Sequence, residues 1–190
     1  MNSHETPEVS RTIVLDRDGV INQDSSSYIK SAEEWIPISG SINAIARLHQ
    51  ANFRVVIASN QSGLARGYFD EAALARMHEK MNLMVEDAGG MISAIFYCPH
   101  SPDAGCSCRK PKIGLLKRAE IELEISLAGD YFVGDSLKDL QAASSFNMKP
   151  ILVRTGNGRQ TELSLSKKIK DKTCTFNDLE SAVNWILKKR

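Results

Sequence analysis

This 190-residue sequence has no long apolar segment, almost no surplus of either charge and few aromatic side chains. No apolar stretch approaches the roughly 20 residues of a membrane-spanning helix, and the N-terminus lacks a basic segment followed by an apolar one. We therefore expect a cytoplasmic protein with no membrane partner. The 24 Lys and Arg residues against 23 Asp and Glu leave a formal charge of +1, so no overall field attracts nucleic acid.

Cysteine is also rare, and its placement is uneven. Three of the four cysteines, Cys98, Cys106 and Cys108, lie close together, whereas Cys174 stands alone. In a reducing compartment such crowding indicates a metal site rather than a disulfide framework. The 42% hydrophobic and 25% charged composition excludes collagen and disfavours disorder. The length predicts one domain over residues 1–190, in which residues 1–10 are expected to be flexible.

Segments typical of strands and of helices alternate along the chain. Strands are predicted at residues 11–15, 53–58, 92–98, 131–133 and 150–153, and helices at 41–50, 70–87, 113–124, 137–146 and 177–187. This alternation predicts a central parallel sheet with helices on both faces, a Rossmann-like three-layer α/β sandwich. The polar, Lys-rich residues 156–172 are interpreted as a loop with one weak helix.

Polar residues follow three of the predicted strands. Asp16 and Asp18 come after the first strand, residues 59–62 after the second, and Asp135 after the strand at 131. The carboxyl ends of parallel strands meet at one edge, so these residues should share one crevice. Neighbouring carboxylates repel unless a cation lies between them, and oxygen donors suit Mg²⁺. The sequence therefore predicts a magnesium site formed by Asp16, Asp18 and Asp135.

Four motifs together resemble those of the haloacid-dehalogenase-like (HAD-like) phosphatases. They are Asp16-Arg-Asp-Gly-Val, Ser59-Asn-Gln-Ser-Gly, Lys110 in Cys108-Arg-Lys-Pro, and Gly134-Asp-Ser-Leu-Lys-Asp139. Longer stretches around them are similar to the zinc-loop group that acts on heptose bisphosphates. The resemblance implies a HAD-like fold, and the short distance between the first two motifs implies that no large cap domain is present.

The resemblance also implies an activity. This is the Mg²⁺-dependent removal of the 7-phosphate from D-glycero-D-manno-heptose 1,7-bisphosphate, in ADP- or GDP-heptose synthesis for bacterial surface polysaccharide. Asp16 would attack phosphorus and form an aspartyl-phosphate, and Asp18 would act first as acid and then as base. Ser59 and Lys110 would stabilise the transferred group. Asp18 would bind Mg²⁺ through its backbone carbonyl, beside Asp16 and Asp135.

Contacts with the sugar are implied in the same way. The residues expected to approach the substrate are Asn22, Asp24, Tyr28, Ser59, Asn60, Gln61, Ser62, Arg109 and Lys110. The chain departs from many family members at Ser136, where they carry lysine, so Lys138 is a candidate replacement. We expect Asp139 to orient Lys110 or a metal-bound water rather than to bind the metal directly. Arg17 is interpreted as a scaffold or rim residue rather than a catalyst, and His78 as a solvated or helix-surface residue without an inferred partner.

A second cluster combines the three crowded cysteines with a histidine. Cys98, His100, Cys106 and Cys108 make a complete tetrahedral set for a structural Zn²⁺, with no vacancy for a catalytic water. The resemblance implies such a loop, here with a short gap of five residues between His100 and Cys106. Because Arg109 follows Cys108 directly, zinc would fix the cations that meet the phosphate.

Three alternative functions stay open. A histidinol-phosphate phosphatase shares the motifs and the zinc loop. A polynucleotide 3′-phosphatase would need a basic track and stacking aromatics, against which the charge of +1 and the 6% aromatic content argue. A non-catalytic zinc-binding module is disfavoured by the intact aspartates. We expect a monomer that acts on a small sugar bisphosphate and binds no nucleic acid.

Overall fold

The computed structural model describes residues 11–189, which form six strands and seven helices. The strands are β1 (Thr12–Leu15), β2 (Arg54–Asn60), β3 (Ala94–Cys98), β4 (Tyr131–Gly134), β5 (Lys149–Val153) and β6 (Cys174–Phe176). The helices are α1 (Ser41–Gln50), α2 (Glu71–Asp87), α3 (Gly114–Leu123), α4 (Leu137–Ser145), α5 (Gly158–Ser164), α6 (Lys167–Lys170) and α7 (Leu179–Lys188), with a 3₁₀ turn at Pro102–Ala104. The N-terminal segment predicted to be flexible, residues 1–10, lies outside the described residues.

All six strands are parallel and lie in the order β3-β2-β1-β4-β5-β6. Successive residues of a strand face opposite sides of the sheet. Ile13 and Leu15 therefore pack with α1, α2 and α7, whereas Val14 packs with α3 and α4. The predicted three-layer α/β sandwich is confirmed. The strand order changes direction between β1 and β4, and at such a point the loops diverge and leave a crevice at the carboxyl edge.

Helix α2 shows how local sequence sets these elements. Asp70 precedes it, and its side chain accepts a hydrogen bond from the Ala73 N–H at 2.7 Å, which satisfies one of the free amides of the first turn. Met77 and Met81 recur at helical spacing and are fully buried in the core. The methionine-rich face of this helix is therefore core.

The segment between β1 and α1, residues 16–40, is a loop fixed at its far end. Trp35 is completely buried, and the Lys80 ammonium of α2 donates to the carbonyls of Ala32 at 2.6 Å and Trp35 at 2.8 Å.

No part of residues 11–189 forms a large cap domain, as predicted. No helix in this range has the length and apolar character needed to cross a membrane.

The prediction for the C-terminal region was incomplete. Residues 156–172, expected to be a loop with one weak helix, contain both α5 and α6, and the sixth strand, β6, follows them. Strand β6 pairs with β5 over only three residues. A strand that short cannot display the alternation that identifies strands in a sequence.

Candidate active site

A buried lysine between two aspartates forms the centre of the site. The Asp16 N–H donates to the Val133 carbonyl at 2.9 Å, which fixes the end of β1 beside β4. Lys110 Nζ lies 2.9 Å from Asp16 Oδ1 and 2.6 Å from Asp139 Oδ1. Burial alone would lower the pKa of Lys110, but the charges of Asp139 and Asp16 outweigh it and raise the pKa to about 12. Lys110 is therefore a permanent cation, and it is paired with Asp139 as expected.

A third aspartate is fixed beside them by two loops. Asp135 follows β4, and its Oδ2 accepts hydrogen bonds from the Asn157 backbone N–H at 2.7 Å and side-chain amide at 3.2 Å. Gly19 and Gly156, both with positive φ, pack against the same oxygen, where an added Cβ would lie 2.2 and 2.3 Å away. Only glycine fits at these two positions. The loops after β1 and β5 thus hold the Asp135 carboxylate in place.

These carboxylates carry more negative charge than their protein neighbours balance. Asp16, Asp135 and Asp139 form an acidic cluster, in which each offers an oxygen within 4.8 Å of the others. Among residues 11–189, Lys110 is the cation that contacts the acidic cluster. Burial raises the pKa of Asp16 to about 8 against the effect of Lys110, and burial with the nearby Asp139 raises that of Asp135 to about 7. A hard divalent cation bound by oxygen would remove this repulsion, so the residues fit Mg²⁺.

The Asp18 side chain takes part in a different network. Its carboxylate accepts hydrogen bonds from the Arg17 guanidinium at 3.0 Å to each oxygen, from Asn22 Nδ2 at 2.9 Å and from Gln61 Nε2 at 2.7 Å. Burial raises the pKa of Asp18, but the charge of Arg17 and these hydrogen bonds outweigh it and hold the pKa below its ordinary value. The acidic cluster contains Asp139 where the sequence placed Asp18, which leaves the Asp18 backbone carbonyl as its predicted metal ligand.

The expectation that His78 has no partner is wrong. Its Nε2 lies 3.3 Å from Nη1 of Arg17, and its ring lies 5.9 Å from that of Tyr97. Burial, and then the charge of Arg17, lowers the pKa of His78 to about 4. The imidazole is therefore neutral at pH 7, and its Nε2 accepts a hydrogen bond from the guanidinium.

The residues at the C-terminal end of β2 and directly after it mostly bind other protein groups. Gln61 Nε2 donates to Ser59 Oγ at 2.8 Å as well as to Asp18. The Asn60 side chain pairs twice with the Lys110 backbone, accepting from its N–H at 3.0 Å and donating to its carbonyl at 3.2 Å. Asn60 and Gln61 therefore position Lys110 and Asp18, in addition to any contact with substrate.

The cysteine cluster forms as predicted. Cys98 ends β3, and the 3₁₀ turn brings Cys106 and Cys108 back to it. The Cys98 Sγ atom lies 3.7 Å from Cys106 Sγ, 3.1 Å from Cys108 Sγ and 3.6 Å from His100 Nδ1, and the last two atoms are 3.2 Å apart. Tetrahedral Zn²⁺ with bonds of about 2.0–2.3 Å separates its ligands by about 3.3–3.8 Å. The separations of 3.6 and 3.7 Å lie in this range and those of 3.1 and 3.2 Å lie just below it, so a small expansion lets the four residues fit zinc.

The same loop is held from its C-terminal side. Lys112 Nζ donates to the carbonyls of Gly105 at 2.9 Å and Cys106 at 2.6 Å. Gly114, the first residue of α3, packs so closely that an added Cβ would lie 2.5 Å from the Ser107 carbonyl oxygen. These contacts help to fix the loop that carries Lys110.

A crevice of about 210 Å³ opens above the acidic cluster. Seven of the nine residues predicted to contact substrate line it, namely Asp24, Tyr28, Ser59, Asn60, Gln61, Arg109 and Lys110. Asn22 and Ser62 are buried and lie outside this lining. Ser136 and Lys138 also line it, and Ser136 caps α4 by bonding to Asp139.

Asn157, which was not predicted as a site residue, joins two parts of the crevice. Its side-chain amide donates to Asp24 Oδ2 at 2.8 Å as well as to Asp135. The Gly156-Asn pair follows a predicted strand, as the other site residues do, and this position is the signal that could have identified it.

The chain is similar to proteins of known name over most of its length. A family model described as HAD-hydrolase-like matches residues 107–182. D-glycero-beta-D-manno-heptose-1,7-bisphosphate 7-phosphatases from Pseudomonas aeruginosa and Bordetella bronchiseptica are 49% and 54% identical, over 92% and 80% of this chain and 97% and 84% of theirs.

A solved structure supports the same relationship. It is D,D-heptose 1,7-bisphosphate phosphatase from B. bronchiseptica complexed with magnesium and phosphate, with 48% identity and a TM-score of 0.89 over 95% of this chain and 99% of that one. The chain belongs to the D-glycero-beta-D-manno-heptose-1,7-bisphosphate 7-phosphatase family.

Proposed function

We propose that the protein is a Mg²⁺-dependent phosphatase that removes the 7-phosphate from D-glycero-β-D-manno-heptose 1,7-bisphosphate. The observation that carries the proposal is the group formed by Asp16, Lys110, Asp135 and Asp139 at the floor of the crevice. A carboxylate nucleophile, a fixed cation and a site for a hard metal ion are the parts that phosphoryl transfer requires. The substrate follows from the relatives, whose names specify the β anomer.

Asp16 is the nucleophile in this proposal. Its Oδ1 accepts from the Arg17 N–H at 2.7 Å and faces Lys110 Nζ, so the carboxylate is oriented before substrate arrives. An Asp16 oxygen forms a bond to phosphorus while the bond from phosphorus to the sugar O7 breaks. Water then hydrolyses the aspartyl-phosphate and releases inorganic phosphate.

Asp18 supplies and removes the proton. It protonates the departing O7, and its carboxylate later takes a proton from the attacking water. In the free protein Arg17 favours the ionised form. A phosphate dianion bound nearby adds a like charge, which raises the pKa of Asp18 and favours the protonated form that the first step needs.

Two metal ions complete the proposal. Asp16, the Asp18 backbone carbonyl and Asp135 would hold Mg²⁺, which when bound supplies positive charge against the phosphate. Zn²⁺ would bind Cys98, His100, Cys106 and Cys108 and has a structural role. Bound zinc would fix the loop that places Lys110 between Asp16 and Asp139.

The cations near the crevice favour a second phosphate on the substrate over an amine. Arg109 and Lys138 line both the crevice and an adjoining pocket, to which Lys112 also contributes. The charged residues that line the adjoining pocket are all cations, so this pocket attracts the 1-phosphate of the heptose and repels the ammonium group of histidinol phosphate. This supports the heptose bisphosphate over the alternative substrate.

Phosphate release tests the proposal. We expect kcat/KM to be higher for the β-heptose bisphosphate than for its α anomer and for histidinol phosphate, with Mg²⁺ present. The Asp16→Asn variant should lose the activity, because an amide cannot act as the nucleophile. A preference for histidinol phosphate would overturn the substrate, and full activity in Asp16→Asn would overturn the mechanism.

A further inference from the structure

The Arg17 guanidinium is buried and every nitrogen of it faces a partner. Its side chain is 1% exposed. Nε and Nη2 donate to Asp18, and Nη2 also donates to Gln61 Oε1 at 3.0 Å. Among residues 11–189, the acceptor that faces Nη1 is His78 Nε2 at 3.3 Å. The planar guanidinium is thus held at both ends, by Asp18 on one side and by His78 on the other.

His78 lies at the edge of the hydrophobic core. It lies on α2 next to the fully buried Met77, and its ring packs near Tyr97 of β3. A neutral imidazole in this position can accept a hydrogen bond, and the lowered pKa of His78 agrees with that state. The core of the protein is therefore connected to Asp18 through His78 and Arg17.

We propose that His78 is a positioning residue, which fixes the orientation of Arg17 and through it the carboxyl group of Asp18 for proton transfer to the leaving group. The inference rests on the proposed function, in which Asp18 is the general acid. His78 does not itself touch the substrate, since it is not among the residues that line the crevice.

Removal of the His78 acceptor should affect proton transfer more than phosphorus attack. In His78→Leu, Nη1 of Arg17 loses its partner, so the guanidinium can rotate and Asp18 loses its alignment. We expect kcat/KM to fall roughly 10- to 100-fold for the heptose bisphosphate, whose sugar oxygen must be protonated as it leaves. For p-nitrophenyl phosphate the fall should be under about 3-fold, because nitrophenolate leaves without a proton.

A conservative variant separates this role from a structural one. In His78→Gln the side-chain carbonyl can replace Nε2 as the acceptor, and kcat/KM for the heptose bisphosphate should recover to within about 3-fold of wild type. The buried Met77→Leu variant on the same helix is the control for altered packing and should treat both substrates alike. If His78→Leu does not fold, His78→Asn makes the same comparison, since its side chain is too short to reach Arg17.

The outcomes are distinct. Equal losses for the two substrates in His78→Leu, or no recovery in His78→Gln, would overturn the positioning role. The Asp18→Asn variant tests the proposed function in the same assay and should lose far more activity on the heptose bisphosphate than on p-nitrophenyl phosphate. If Asp18→Asn does so and His78→Leu does not, the inference fails and the proposed function stands.

Discussion

The affinity for Mg²⁺ should depend steeply on pH, because the metal competes with protons for buried carboxylates. In the metal-free protein the pKa of Asp16 is raised to about 8 and that of Asp135 to about 7, in both cases from 3.8 and chiefly by burial. The folded protein therefore keeps protons that the unfolded chain has lost above about pH 4. The stability that these protons give is lost as pH rises through the folded-state values.

The magnitude follows from those values. Between about pH 6.5 and 8.5, the loss of protons from both groups lowers the stability of the metal-free protein by about 2 to 3 kcal/mol. Mg²⁺ binds the ionised carboxylates and must displace their protons at about pH 6.5. At about pH 8.5 most of these protons have already been lost, so metal binding no longer has to supply the free energy of removing them. The dissociation constant for Mg²⁺ should therefore fall on the order of 100-fold over this range. His78 does not contribute, because its pKa is lowered to about 4 and its imidazole in the folded protein is neutral throughout this range.

Calorimetric titration with Mg²⁺ in two buffers of different ionisation enthalpy measures both the affinity and the protons released. We expect between one and two protons to be released near pH 6.5 and fewer than about half a proton near pH 8.5. An Asp87→Asn variant, altered at an exposed position on α2, should behave as wild type. A dissociation constant that is constant across this range, with no proton release, would show that the carboxylates are already ionised without metal and would refute the reasoning.

Three further predictions concern the supports of the site. A zinc-selective chelator with Mg²⁺ in excess should lower kcat/KM at least about 10-fold by displacing Lys110; unchanged kinetics after zinc loss has been verified would contradict this. Gly19→Ala places a Cβ 2.2 Å from Asp135 Oδ2 at φ +79° and should abolish activity. Gly129→Ala has a similar φ but no atom within 4 Å, so it should cost only about 1–3 kcal/mol of stability by thermal unfolding and keep its activity. Asn157→Ala removes one hydrogen bond to Asp135 and should weaken Mg²⁺ binding roughly 10-fold by calorimetry; an unchanged affinity would mean that the backbone N–H alone fixes this carboxylate.

The central sheet could be predicted because its strands are apolar runs that end abruptly in polar residues. The pattern around Asp16 and Asp135 is local, and the rule that parallel strands share a carboxyl edge brings the two together. The cysteine cluster could be predicted for the same reason. Cys98 and Cys108 are close enough in sequence for their spacing alone to indicate a common ion.

The residues that could not be predicted depend on contacts between distant segments. His78 has the sequence context of an ordinary helix residue, and its partner Arg17 lies 61 positions away. Asn157 and Gly156 follow β5 and contact Asp135 only because β5 pairs beside β4. Asn60 lines the crevice, as expected of a residue that approaches the substrate, but its pairing with the Lys110 backbone could not be predicted, because it depends on the path of the Lys110 loop.

The position of Lys110 has a consequence for how the proposed enzyme responds to its surroundings. Asp16 and Asp135 follow strands of the sheet. Lys110 instead lies on the cysteine-containing loop, whose order is proposed to depend on zinc. Turnover would then require two ions of unlike chemistry at the same time. When magnesium is plentiful, the scarcer ion alone would set the fraction of competent molecules, so the rate of this step would follow the supply of a metal that takes no part in the reaction.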